Sequence, residues 1–141
     1  MKSLLLFAAL CATTLAMETN APASTLPGTS WTVTELNGIA LEGDKPPTIE
    51  FDTNGNIGGN ASCNRYGGAC TIAGNTITVS RQRVTRMVCD GETMKRERQF
   101  LGIIQAARTW EITGNDELIL SGPEGSLKAI RQTSATTNKD N

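Results

Sequence analysis

The sequence predicts a mainly β fold: an antiparallel sheet, curled or closed into a barrel, carrying a single amphipathic helix. Three observations predict it. Apolar and polar residues alternate at period two in six short segments. Reversals rich in Gly and Asn sit between those segments. One stretch near residue 100 switches to the period of a helix. A chain of 141 residues is the size of one domain.

Each element follows in order. Trp31 and Val33 alternate with Thr32 and Thr34, and Ile49 and Phe51 alternate with Thr48, Glu50 and Asp52. Ile77 and Val79 alternate with Thr76, Thr78 and Ser80, and Trp110 and Ile112 with Glu111 and Thr113. Leu118 and Leu120 flank Ile119, and Leu127 and Ala129 flank Lys128. Such strands bury one face. Asn37-Gly38, Asn54-Gly55 and Gly114-Asn115 supply residues that accept positive φ, and Gly122 to Gly125 marks another reversal. Gly74-Asn75 separates Thr71–Ala73 from Thr76–Ser80 by two residues, which predicts a tight hairpin. From Glu92 to Arg108 the pattern changes: Phe100, Ile103, Ile104 and Ala107 fall at i, i+3, i+4, i+7. Asp90 or Thr93 is placed to cap this helix. Lys95, Arg96, Glu97 and Arg98 are assigned to its solvent side. The apolar face is assigned to core packing.

The ends differ from this middle. Met1-Lys2, the apolar run Leu4 to Leu10 and the small residue at Ala16 predict a signal peptide over residues 1–16. The run is far shorter than a membrane span requires, so no transmembrane span is expected. Cys11 is a poor lipid-attachment site because Leu10 precedes it where processing favours a small residue, so lipid anchoring is not expected. Residues 17–29 (METNAPASTLPGT) read as a flexible lead-in and residues 132–141 as a disordered tail, leaving a folded domain over 30–131.

Composition removes several functions. Net charge is −1 with no basic block, so nucleic acid has no electrostatic footprint and no polybasic run marks a membrane surface. Aromatics are 4% of residues, so the core must be aliphatic. The chain has no histidine, which removes the commonest general base and metal ligand. Cys63, Cys70 and Cys89 would be a C-x6-C-x18-C zinc set with neither a fourth Cys nor a His, so neither metal nor cofactor is expected. A nucleophilic cysteine lacks a base, because Arg65, Arg83 and Arg86 cannot shuttle protons. The acid pairs Glu42/Asp44, Asp90/Glu92 and Asp116/Glu117 sit in turns or at element ends and read as solvated or capping groups. Gly58-Gly59 and Gly67-Gly68 precede no helix, so they read as bends in a curled sheet rather than phosphate cradles.

An exported chain meets an oxidising compartment, so a disulfide is expected. Chain entropy hardly chooses the pair. Closing Cys63 to Cys89 is worth about 3.5 kcal/mol and Cys63 to Cys70 about 2.5 kcal/mol. Three pairings stay open on this ground, each leaving one thiol.

The order WTVTELNG, PPTIEFD, GGNASCNRYGG, VTRMVC, an amphipathic segment and DELILSGPEGSLKAI resembles the META-domain family, the HslJ-like heat-shock proteins of bacterial envelopes. The resemblance spans about Ser30 to Arg131 and rests on a pair of motifs about 20 residues apart. These are Cys63, Asn64, Arg65 and Tyr66, and then Thr85, Arg86, Met87 and Cys89. It implies a cracked, lipocalin-like barrel with one helix, no catalysis, and a Cys63–Cys89 disulfide. Cys70 departs from the pattern and is left as the free thiol. On this reading the disulfide ties a Gly/Asn loop to the segment entering the helix, and Asn64 satisfies loop backbone groups. Arg65 and Arg86 are expected to pair with acids near the helix start, and Tyr66 to cover a sheet edge. The expected protein is a non-enzymatic monomer, exported to the periplasm or cell envelope or secreted, serving stress tolerance. Its expected partner is an envelope protein or a small apolar ligand. The alternative is a secreted or periplasmic inhibitor of a hydrolase.

Overall fold

The structure, a computed structural model, describes residues 25–133. The expected signal peptide, most of the lead-in and most of the tail lie outside the described residues. The elements run β1 (Thr29–Leu36), β2 (Ile39–Ala40), β3 (Thr48–Phe51), β4 (Asn56–Asn60), β5 (Arg65–Ala73), β6 (Thr76–Val79) and β7 (Arg83–Val84). The helix α1 (Gly91–Ala106) follows, then β8 (Thr109–Ile112), β9 (Glu117–Gly122) and β10 (Gly125–Arg131).

Hydrogen bonding follows the order β10-β9-β8-β6-β5-β4-β3-β1, and β1 pairs back onto β10. Eight antiparallel strands therefore close into a barrel, with β2 added to β1 and β7 to β5. Closure removes the open edges that would recruit other chains. Period-two alternation points one side of each strand inward. Trp31, Val33, Ile49, Ile57, Ile77, Leu118, Leu120 and Leu127 are all almost fully buried. The tightest reversal is the expected one: Ala73 pairs Thr76 across Gly74-Asn75.

The weakest seam lies between β6 and β8, where Thr76↔Thr109 is the single registered pair. Two flanking bonds, Ile77 N–H to the Arg108 carbonyl (2.9 Å) and Trp110 N–H to the Asn75 carbonyl (3.0 Å), complete it. The helix lies between β7 and β8 in sequence and packs against β6, β9 and β10. Phe100, Ile103, Ile104 and Ala107 are buried there, the face that the sequence spacing marks. Asp90 caps the helix: its Oδ1 accepts Thr93 N–H at 2.9 Å and its Oδ2 accepts the Thr93 hydroxyl at 2.7 Å.

Three expectations need correction. The folded unit is wider than 30–131. Leu26 is fully buried, Gly28 N–H donates to the Phe51 carbonyl, and Gln132 N–H donates to the Ser30 carbonyl. The Gly/Asn-rich stretch is largely strand, with Gly58 opposite Gly67 and Gly59 opposite Tyr66. Glycine is required at position 59, where φ is +144° and a Cβ would collide with the Thr48 carbonyl. Finally, Glu97 is buried rather than solvated.

Candidate functional site

The two halves of the motif meet at Asn64. An Asn side chain offers two N–H donors and one oxygen with two lone pairs. All four are used here. Nδ2 donates to Glu97 Oε2 at 2.7 Å and to the Met87 carbonyl at 3.1 Å. Oδ1 accepts Met87 N–H at 2.6 Å and the Thr85 hydroxyl at 2.9 Å. The Asn64 backbone N–H donates to Glu97 Oε1 at 2.6 Å. Asn64 and Glu97 are both buried, so these bonds are shielded from water. Thr85 adds a further pair with Arg65: its N–H donates to the Arg65 carbonyl, and its hydroxyl accepts Arg65 N–H.

The remaining motif residues surround this knot. A disulfide joins Cys63 to Cys89. Tyr66 does not cover a sheet edge. It is buried, its hydroxyl donates to the Thr48 carbonyl at 2.7 Å, and its ring meets Phe100 edge-on at 5.4 Å. Burial, then the Glu50 charge, holds the Tyr66 hydroxyl well above its ordinary pKa. Arg65 and Arg86 do not pair with acids at the helix start. Among the described residues the ion pairs are Lys128–Glu35 and Arg131–Asp116. The nearby acids are engaged elsewhere, Glu97 with Asn64 and Asp90 with Thr93. Cys70 is a buried free thiol on β5, facing Val79 across the pair. Burial, and secondarily the Asp52 charge, pushes its pKa up, which makes it a weak nucleophile.

Sequence reasoning missed Glu97. Its position carries a signal: it lies three residues before Phe100 and seven before Ile104, on the apolar stripe itself. A carboxylate on that stripe requires a buried partner, and Asn64 is that partner.

The knot fixes the extended segment between β7 and α1. Met87 is held at both backbone polar groups and Cys89 by its disulfide. The side chains of this segment nonetheless face outward: Val84 is 36% exposed, Met87 58% and Val88 89%. Beside them an open groove of about 510 Å³ is lined by Val84, Met87, Val88 and Met94, with Asn64 and Glu97 also on its wall. Arg83 and Arg86 are exposed on the same segment.

The META domain family model matches residues 24–135. The chain belongs to the META domain family. Three solved structures share the fold of this META domain. A protein from Burkholderia xenovorans, solved by NMR, is 21% identical with a TM-score of 0.63, over 77% of this chain and 84% of that one. A second NMR structure is 24% identical with a TM-score of 0.62, over 74% of this chain and 90% of that one. A DUF4847 family protein from Bacteroides vulgatus is 13% identical with a TM-score of 0.55, over 77% and 96%. At these identities the likeness is one of fold alone. Among curated proteins none matches the sequence.

Proposed function

We propose that this META domain is an exported, non-enzymatic, HslJ-like protein of cell-envelope or heat-stress tolerance, working by contact between its 84–88 segment and an envelope partner. The observation that carries this reading is the clamp on Met87. Asn64 and the Cys63–Cys89 disulfide spend a buried network on holding an exposed apolar segment still. A surface ordered in advance loses less freedom on binding. Contiguous exposed apolar residues are a common mark of interaction sites.

Other features support parts of the reading. A disulfide suits an oxidising compartment. The Cys70 thiol is buried with a raised pKa, and the Glu97 carboxylate is committed to Asn64, so neither is poised as a nucleophile or base. Trp31, Ile49, Leu118 and Leu120 fill the barrel interior, which favours surface contact over an apolar ligand in the barrel mouth. The stapled, protruding segment also favours a second reading, a plug for a hydrolase.

The test is genetic. A deletion strain is challenged with heat and with envelope-directed antibiotics, then complemented with the wild type or with Met87→Asp/Val88→Asp. The expected result is a survival defect restored by the wild type alone. Deletion without a defect defeats the stress reading. Recovery of a hydrolase in an envelope crosslinking experiment, with its activity suppressed, would favour the second reading.

A further inference from the structure

The barrel is closed unequally on the two sides of β8. On one side β8 runs with β9 through four registered pairs, and Arg108 N–H just ahead of it donates to the Ser121 carbonyl at 2.8 Å. On the other side it meets β6 at Thr76↔Thr109 alone, between the Ile77–Arg108 and Trp110–Asn75 bonds. Little packing reinforces those two bonds. A hollow of about 320 Å³ lined by Asn75, Thr109, Trp110 and Glu111 lies at one end of the contact. Another of about 280 Å³, lined by Ile77, Val79, Gln105 and Arg108, lies at the other.

The part of β6 that makes this contact is the tip of a hairpin. Ala73, Gly74, Asn75 and Thr76 are all exposed, and Gly74-Asn75 is the turn. The tip is joined to β5, with Ala73↔Thr76, Ile72↔Ile77 and Thr71↔Thr78 in register. Farther along, Gln105 of the helix pins the base of the hairpin. Its Nε2 donates to the Val79 carbonyl at 3.1 Å and to the Ser80 carbonyl at 3.0 Å, and its Oε1 accepts Gln82 N–H at 3.1 Å. A hairpin paired along its length, fixed at its base and held at its tip by two bonds can bend away as one piece.

One group gains by that movement. Trp110 Nε1 is buried with no hydrogen-bond partner among the described residues, which is a cost carried by the closed barrel. Trp31 differs: its Nε1 donates to the Thr29 hydroxyl at 2.7 Å. Trp110 follows Thr109 directly, and its side chain, like those of Ile72 and Ile112, is only partly buried against the core. Lifting the tip admits water to the indole N–H and uncovers these apolar side chains.

We propose that the Ala73–Thr76 tip is a flap that swings off β8, hinged where Gln105 holds Val79 and Ser80. It gives a filled barrel a route by which its apolar end reaches solvent. β8 stays with β9, and β5 stays with β6. The flap acts without the 84–88 segment, so either can fail without the other.

The experiment is hydrogen exchange followed by NMR on the disulfide-bonded protein. The Ile77 and Trp110 amides and the Trp110 indole N–H are expected to exchange together. Their protection should be about a hundredfold or more below that of the Arg108 amide, the Ser80 amide (bonded to the Ala69 carbonyl) and the Trp31 indole. Gln105→Ala, which frees the base, should lower protection at Ile77 and Trp110 by about a further tenfold. Thr76 and Thr109 stand directly opposite between two flanking bonds, the closely spaced kind of pair, so Thr76→Cys/Thr109→Cys can be bridged. With the bridge verified by peptide mass mapping, protection at the three sites should rise to that of the Trp31 indole. Equal protection at all sites in the wild type overturns the flap, whether or not the bridge forms. So does fast exchange of Ser80 or Arg108 along with Ile77, because the hairpin or β8 would then be unfolding. Unchanged protection in Gln105→Ala removes the hinge, and no rise on bridging removes the flap as the route of exchange; either result overturns the proposal.

Discussion

Asn64 illustrates why one residue type can be demanded by geometry. Its side chain has two donors and two acceptor sites, and each meets a fixed partner. Asp has the shape but no donors. Asn64→Asp would turn an oxygen toward Glu97 and the Met87 carbonyl, and it should cost at least about 3 kcal/mol in urea unfolding. Glu97→Gln keeps the size but sets an N–H against a donor, at about 1–3 kcal/mol. The double variant brings back a donor facing an acceptor across the buried pair, so it should be more stable than the sum of the two losses. Strict additivity would count against a direct coupling. Only half of this pair was legible in sequence. Asn64 sat in a recognisable motif, whereas Glu97 looked like one more member of the Lys95–Arg98 charge run. The two residues are 33 positions apart, and no local pattern joins them.

At the level of elements, legibility followed the apolar pattern. The alternating pairs and the Phe100–Ala107 face were readable because burial there is carried by large side chains. Strand β4 and the first half of β5 were not, because Gly58, Gly59, Gly67 and Gly68 carry no side chains to alternate. Backbone pairing alone makes them strands. The helix start was readable through its cap, and the cap also predicts acid sensitivity. Bonds from the Thr93 side chain, then its backbone, hold the Asp90 carboxyl below its ordinary pKa. Asp52 is lowered likewise, first by the Asn56 side chain, in the turn joining β3 to β4. For a carboxyl whose folded pKa is depressed, the stabilisation is complete above the unfolded value. It is lost as pH falls through the folded one. Stability should therefore decline below about pH 4. The decline should be shallower in Asp52→Asn/Asp90→Asn, measured as urea midpoints across that range. An identical slope in the variant would show that other groups govern acid unfolding.

For the whole molecule, the barrel and the disulfide divide the work. The closed sheet holds its strands through pairing, while the Cys63–Cys89 disulfide and Asn64 hold the extended segment between β7 and α1. Cys70 offers a reporter for the coupling. It is buried in the β5–β6 pair, so alkylation there requires that pair to open. The chain-entropy model assigns the 26-residue separation of the disulfide about 3.5 kcal/mol. If the β5–β6 pair opens only in global unfolding, Cys63→Ala/Cys89→Ala should speed alkylation at Cys70 by about a hundredfold to a thousandfold, read by peptide mass mapping. If the pair opens by itself, the rate at Cys70 should hardly change, while amide exchange in residues 84–89 still rises. A rate at Cys70 that is fast in the wild type would contradict its burial and its raised pKa together.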